Sequence, residues 1–244
     1  MQRKSLISIL AVAGGALVLV IALIIAMKTT SNKKSVDTSN LNMVSSINEM
    51  LSGIPQQGTA IGNPKAKVTM VEFADPQCSA CAQFSEEGLP ELFQNYVRTG
   101  KLRIVYQGQT FVDTMVKPNV NDSDRLLRAA LAAGKQSKLW NIIEIVYANQ
   151  GGEDTGYPTD SYLSSVATAA GVDPSIALDA QSDQSLAAPI KASAKLFAAS
   201  GFSSTPSLLL GRTGQKPSVK LVASKHYFPT YEDLGRRIDA LVRG

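Results

Sequence analysis

The sequence contains only two cysteines, Cys78 and Cys81, and two residues separate them. An apolar stretch that predicts a strand comes directly before the pair, and a stretch that predicts a helix begins at it. A Cys-x-x-Cys pair at this junction is typical of a thiol–disulfide active site, because a helix N-terminus favours the thiolate. The pattern predicts that Cys78 attacks a substrate and that Cys81, one turn deeper, resolves the mixed disulfide.

Two other uses of the cysteine pair are possible. A purely stabilising disulfide would gain little, because so short a loop loses little entropy on closure. A metal site is the second alternative, but a structural zinc ion takes four Cys or His ligands. The chain offers two cysteines and one histidine, His226, which is distant in sequence. We expect His226 to be a partly buried ring in the turn before the last helix.

Three elements around the pair are predicted from apolar patterning. Residues Val68 to Ala74 predict a strand that is apolar on nearly both faces, as in the centre of a sheet, with Glu72 as the exception. Residues Ala80 to Arg98 predict a helix, which Pro90 should kink because proline lacks a backbone N–H. Residues Leu102 to Gln107 predict a second strand.

The second half of the chain changes character. Residues from about 122 to 200 predict a run of helices without a strand pattern, with Trp140 in their core. Strands return at Ser207 to Leu210 and at Val219 to Ala223, and Thr230 begins a final helix. This order matches an α/β thioredoxin-like fold with a helical insertion between its two halves.

Two segments resemble a known family. They are Val71–Cys81, which reads VEFADPQCSAC, and Ser204–Ser207, which reads STPS. Together they resemble the DsbA-like thiol–disulfide oxidoreductases, in the membrane-anchored extracytoplasmic type, over roughly residues 60 to 244. The resemblance implies an enzyme that forms disulfides in exported proteins. It also implies no cofactor beyond the redox-active disulfide Cys78–Cys81.

The resemblance also implies roles for particular residues. Glu72 would be buried beneath the second cysteine and would exchange a proton with it. Thr205 and Pro206 would form a cis-proline loop that faces the cysteines and pairs with a substrate segment. The dipeptide Ser79-Ala80 carries no positive charge, whereas strongly oxidising members have Pro-His there, so we expect a weaker oxidant.

One further residue of the first segment is a candidate. We expect Asp75 to cap the active-site helix or to tune Cys78.

The N-terminal segment predicts a membrane anchor. Residues Leu6 to Met27 are apolar without interruption, which is long enough to cross a bilayer, and the run ends in a poor cleavage site. A short N-terminal tail is easily kept in the cytoplasm, which places the bulk of the chain outside. We therefore predict, in order, a cytoplasmic tail at 1–5, a single-pass anchor at 6–27, a linker at 28–63 and the DsbA-type domain at 64–244.

The expected partners follow from composition and from the resemblance. The net charge of +4 is modest and no basic stripe with aromatic residues occurs, so we expect no nucleic acid. The family resemblance implies exported proteins with free thiols as substrates and a separate quinone-linked membrane reoxidase of the DsbB or VKOR type. Membrane lipid would contact residues 6–27. The alternatives are a reductase or isomerase of the same fold, a copper-binding thiol protein, and an interaction module without turnover.

Overall fold

The computed structural model describes three stretches of the chain, residues 38–115, 120–223 and 229–244. The predicted cytoplasmic tail, the predicted anchor at 6–27, the first part of the predicted linker and His226 lie outside these stretches. In the three described stretches, every helix is too short or too polar to cross a bilayer.

The fold is organised around one mixed sheet of six strands. The strands are β1 (Gln56–Gln57), β2 (Ala60–Ile61), β3 (Val68–Ala74), β4 (Leu102–Gly108), β5 (Ser207–Arg212) and β6 (Val219–Val222). Their order across the sheet is β1-β2-β4-β3-β5-β6. The central pair, β3 and β4, is parallel, and all the other neighbours are antiparallel.

Helices cover the sheet and form the long insertion between β4 and β5. They are α1 (Val44–Leu51), α2 (Ser79–Glu87), α3 (Leu89–Leu92), a π-helix (Phe93–Val97), α4 (Phe111–Met115), α5 (Asp122–Gly134), α6 (Leu139–Tyr147), α7 (Asp160–Ala169), α8 (Pro174–Asp179), a 3-10 turn (Gln184–Leu186), α9 (Ala187–Ala199) and α10 (Tyr231–Arg243). The short helix α4 has no counterpart in the sequence-based expectation.

Strand β3 is buried on both of its faces, which explains its nearly continuous apolar sequence. Alternation along the strand places Val68, Met70 and Glu72 on one face and Phe73 on the other. The first face packs on the main core, whereas Phe73 packs with Phe197 and with Phe202. The charged member of the first face, Glu72, is therefore inside the protein.

The segment before β3 is more structured than its sequence indicates. We expected a linker at 28–63, but strands β1 and β2 lie in its last part, and β2 pairs with β4 through Ala60 opposite Val105. Ile61 is fully buried. Helix α1 and this hairpin lie within the predicted linker, and both contribute residues such as Ile47 and Ile61 to the main core. Strands of two residues are too short to show an alternating pattern.

The predicted long helix after the cysteines is broken rather than only kinked. Helix α2 ends at Glu87, and α3 follows Gly88 with Pro90 in its first turn, where a missing N–H costs nothing. A Cβ on Gly88 would lie only 2.8 Å from the Phe84 ring, so the break is packed too tightly for any other residue. The chain then continues as a π-helix.

Candidate functional site

Cys78 and Cys81 occupy the first turn of α2, directly beyond the end of β3. Cys78 is the N-cap residue, and its carbonyl accepts hydrogen bonds from the N–H groups of Cys81 and Ala82 at 3.0 and 3.1 Å. Both cysteines are free thiols, so the site is in its dithiol form. Cys78 is partly exposed, whereas Cys81 is fully buried. Only Cys78 can therefore be reached by a large substrate.

The two thiols have opposite acidities. A hydrogen bond from the Cys81 thiol is the largest cause that lowers the pKa of Cys78 to about 7, and a side-chain hydrogen bond from Thr205 adds to it. Burial and the charge of Asp75 act against this shift. Burial raises the pKa of Cys81 well above its usual value, and its hydrogen bond to Cys78 raises it further. Near neutral pH, Cys78 is thus partly a thiolate and Cys81 is a thiol.

The loop before β5 faces Cys78. The Thr205-Pro206 peptide bond is cis, and the Thr205 carbonyl oxygen lies 3.5 Å from the Cys78 Sγ atom, which donates to it. Strand β5 starts at the next residue and pairs with β3, so the sheet fixes the loop opposite the active-site turn. The Ser207 hydroxyl also donates to the Ser204 carbonyl at 2.6 Å and stiffens the turn. The structure thereby brings two distant motifs together.

Glu72 lies inside the protein, on the face of β3 that packs against the core. It is only 1% exposed, and its Oε2 atom has no hydrogen-bond partner among the described residues. Burial raises the pKa of Glu72 to about 8, and the charge of Glu144 contributes to the increase. In the sheet, Glu72 stands opposite Tyr106 on β4. The carboxyl is therefore protonated at neutral pH and available to give a proton.

Two buried tyrosines share the interior with Glu72 and Cys81. The hydroxyl groups of Tyr106 and Tyr147 lie 3.2 Å apart, and Tyr106 donates to the Ala74 carbonyl at the end of β3. Burial raises the pKa of both tyrosines, and the charges of Cys81 and Glu72 raise both further. One enclosed polar region therefore contains these four side chains. Sequence reasoning gave neither tyrosine a role, since apolar patterning treats both as core.

Asp75 lies in a hydrogen-bonded network beside the cysteines. Its Oδ1 atom accepts from the Gln77 N–H at 2.9 Å and from the Ser123 hydroxyl at 2.7 Å, and Oδ2 accepts from the Val112 N–H at 2.9 Å. The expectation that Asp75 caps the active-site helix is wrong, because none of these donors belongs to α2. Burial raises the pKa of Asp75 to about 6, and its charge raises that of Cys78.

The segment between α6 and α7 covers the start of α2. The Ser79 N–H, which is the first of the helix, donates to Glu153 Oε1 at 3.1 Å. The Gln150 side chain donates to the Pro76 carbonyl at 2.7 Å. Ser79 is exposed and Ala80 is half-buried, and neither places a cation near Cys78. A carboxylate thus occupies part of the helix terminus that would otherwise stabilise the thiolate.

A metal site was one alternative use of the cysteine pair. In the three described stretches, no group of three His, Cys, Asp or Glu side chains is arranged to hold an ion.

Known proteins resemble this chain in sequence and in fold. A family model described as thioredoxin matches residues 55–226. A probable disulfide bond formation protein D of Bacillus cereus is 31% identical over 121 residues, which are 49% of this chain and 52% of that protein. The chain thus spans about half the length of the curated relatives it matches.

Two solved structures share the fold. BdbD from Bacillus subtilis, in its oxidised form, has a TM-score of 0.62 at 18% identity and covers 78% of this chain and 98% of its own. DsbA from Chlamydia trachomatis also has a TM-score of 0.62 at 18% identity, with coverages of 76% and 91%. The expected thioredoxin-like α/β fold is therefore confirmed. The chain belongs to the thioredoxin family.

Proposed function

We propose that this chain is a protein thiol–disulfide oxidoreductase that passes the Cys78–Cys81 disulfide to thiols of substrate proteins. One observation carries the proposal. An accessible thiol with a pKa lowered to about 7 lies at a helix N-terminus, and a second thiol that is fully buried lies beside it. This asymmetry is what ordered exchange requires, because one sulfur must meet substrate and the other must remain inside.

The exchange reaction balances with these two sulfurs and one proton donor. A substrate thiolate attacks Cys78 Sγ in the oxidised enzyme, the S–S bond breaks, and the electron pair goes to Cys81 Sγ. Glu72 gives its proton to the Cys81 thiolate. A second substrate thiolate then attacks the substrate sulfur of the mixed disulfide and releases Cys78 as a thiolate. The substrate dithiol is oxidised by two electrons and the enzyme disulfide is reduced by two.

The loop at Thr205 and Pro206 is the proposed binding place for the substrate backbone. The Thr205 carbonyl lies beside Cys78, so a segment that is extended across this loop would bring its cysteine to the reactive sulfur. Recognition through backbone groups suits an enzyme with many substrates, because it does not depend on their side chains.

The cellular setting is a proposal that rests on sequence. The apolar run at residues 6–27 supports a single-pass membrane anchor with an extracytoplasmic domain. Exported proteins with free thiols would then be the substrates, and a separate quinone-linked membrane protein would reoxidise the pair. The similarity to probable disulfide bond formation proteins of Bacillus favours an oxidase. A reductase or isomerase is the second candidate, because Ser79-Ala80 provides no charge that would strengthen the oxidant.

Oxidative refolding tests the proposal. The full chain in its disulfide form is mixed with a reduced protein whose activity needs native disulfides, and the recovery of activity is followed. We expect stoichiometric recovery with the wild-type chain and none with Cys78→Ser. Recovery that is independent of Cys78 would contradict the proposed chemistry. Reduction of a disulfide substrate by the dithiol form, without recovery in the forward assay, would favour the reductase.

A further inference from the structure

A second buried carboxyl, Glu144, lies on helix α6 close to the active-site helix. It is only 3% exposed. Its Oε2 atom accepts a hydrogen bond of 2.6 Å from the Ser85 hydroxyl on α2, and its Oε1 atom has no partner among the described residues. A buried oxygen without a partner costs free energy, so its presence needs an explanation. The thiol chemistry described above does not use this residue.

Glu144 lines a cavity of about 390 Å³ between α1, α2 and α6. Apolar side chains, among them Ile47, Met50 and Ala82, form most of its wall. Glu144 and Ser85 contribute polar atoms to the same wall. A cavity of this size has room for several water molecules, each of which takes roughly 30 Å³. Water in the cavity therefore lies against the wall to which the Glu144 side chain contributes.

Two observations relate Glu144 to the redox site. Its charge is a cause of the raised pKa of Glu72, so the two carboxyls interact through the protein interior. Its hydrogen-bond donor Ser85 follows Cys81 by four residues on α2, and residues at this spacing lie on the same helix face. Glu144 thus lines the cavity and is also bonded to the helix that carries Cys81, one turn further along it.

We propose that Glu144 is the outer carboxyl of a two-carboxyl proton relay, which connects Cys81 through Glu72 to water in the cavity. The inference rests on the role proposed above for Glu72. When the disulfide is broken, Glu72 gives a proton to the Cys81 thiolate, Glu144 gives its proton to Glu72, and water in the cavity reprotonates Glu144. When the disulfide forms again, the proton leaves by the same steps in reverse. No electron passes through the relay.

The surroundings of Glu72 and Glu144 favour the protonated form of both carboxyls. Burial raises the pKa of Glu144 to about 8, and the Ser85 hydrogen bond acts against this increase. The titratable groups that face this region are Cys81 and Glu86 from α2, Tyr147 from α6, and Tyr106 and Glu72 from the sheet. Helix α1 contributes no charged side chain to the cavity wall, and among the described residues no lysine or arginine lines it. At neutral pH both carboxyls are therefore neutral and hold protons.

The test measures how fast dithiothreitol reduces the Cys78–Cys81 disulfide of the full chain between pH 5 and pH 10. Rates are read by acid quench and alkylation and are corrected for ionisation of the reductant. Glu144→Gln keeps an acceptor for Ser85 but cannot pass a proton. We expect it to slow reduction about tenfold at pH 7 and to move the inflection near pH 8, because general acid catalysis is weakened. Glu86→Gln, on the same cavity wall, is the matched control and should match the wild type.

Each result decides between the relay and a structural role. A Glu144→Gln profile that superimposes on the wild type, or an equal loss in Glu86→Gln, would overturn the relay. If Glu144→Gln does not fold, Ser85→Ala replaces it. Loss of that hydrogen bond should move the inflection to higher pH, and an unmoved inflection would also overturn the relay.

The outcomes separate this inference from the proposed function. A wild-type disulfide that dithiothreitol cannot reduce reversibly would contradict the oxidoreductase itself. Normal exchange in the wild type, slowed by Glu72→Gln and unaffected by Glu144→Gln, would leave the proposed function intact and reject only the relay.

Discussion

The two thiols of the active-site turn have opposite environments although one helical turn separates them. Cys78 lies at the open end of α2, with the Thr205 carbonyl and the Glu153 carboxylate nearby. Cys81 lies against a closed region that contains Glu72 and two tyrosines. The hydrogen bond from the Cys81 thiol, with a smaller one from Thr205, lowers the pKa of Cys78, whereas burial raises the pKa of Cys81. Position relative to the helix end and to water, rather than residue type, therefore decides which sulfur reacts.

Substitution of each thiol in turn should have the largest effects on exchange and on the pKa of Cys78. Cys78→Ser should abolish exchange, because the buried sulfur cannot reach a protein substrate. Cys81→Ala should retain alkylation at Cys78 but with a pKa well above 7, because the largest cause of the lowered pKa is the Cys81 hydrogen bond. Iodoacetamide rates measured against pH report this pKa. An unchanged Cys78 pKa in Cys81→Ala would show that the helix terminus alone determines it.

Removal of the inner proton donor should have the next largest effect. Glu72→Gln cannot protonate the departing Cys81 thiolate, so we expect reduction of the disulfide to slow about a hundredfold at neutral pH. Alkylation of Cys78 in the dithiol form should stay close to the wild-type rate, since this reaction occurs at the outer sulfur. Equal losses in both reactions would indicate general damage to the site.

Stability against pH gives an independent view of the inner environment. The pKa of Glu72 is about 8 in the folded chain, whereas the ordinary pKa of a glutamate is 4.5, so between these pH values the folded state holds a proton that the unfolded chain releases. The contribution of Glu72 to the free energy of unfolding is therefore fully present below about pH 4.5 and is lost as the pH rises towards 8. One such group gives a slope of up to about 1.4 kcal/mol per pH unit.

Urea unfolding at a series of pH values measures this slope. Glu72→Gln should make the decrease in the free energy of unfolding shallower, because one titrating group is removed. Glu144→Gln should act in the same direction. A slope that neither variant changes would show that neither carboxyl is protonated in the folded state.

The smallest expected effect belongs to the outer environment. Glu153→Gln removes a negative charge from the first N–H of α2, so the pKa of Cys78 should fall by a few tenths of a unit, which corresponds to about 0.3–1 kcal/mol at a helix terminus. High salt should reduce the difference. Glu87→Gln, at the other end of α2, is the control and should leave the Cys78 pKa unchanged.

The outer half of the site was more predictable from sequence than the inner half. The position of Cys78 at a helix start could be inferred from local patterning. In the inner half, patterning placed Glu72 only on an apolar strand, and the expectation of its buried role came from the family resemblance. Glu144 could not be identified as a candidate, since its proposed role depends on contacts with α2 that the sequence does not show. A role for Tyr106 and Tyr147 could not be predicted either, because their sequence pattern is that of ordinary core residues.

For the fold too, features that depend on local patterning were predictable, whereas features that depend on tertiary contacts were not. The order of the major elements was predictable from apolar periodicity, and it matches the structure at β3, β4 and β5. The hairpin of β1 and β2 was missed because its strands have two residues each and depend on pairing with β4. The break at Gly88 was missed because it depends on the position of the Phe84 ring. Of the two roles expected for Asp75, only the influence on Cys78 agrees with the structure, because its carboxyl oxygens accept from a loop and from α5 rather than from α2.

The reduction potential of the Cys78–Cys81 pair tests the central claim most directly. The full chain is equilibrated in glutathione buffers of known potential, and the fraction of dithiol is read by alkylation. We expect a reversible two-electron couple that is close to about −180 mV, because Cys78 has a moderately lowered pKa and no cation in its dipeptide. A value near about −270 mV would contradict the oxidase and favour a reductase. The absence of a reversible couple would contradict the account as a whole.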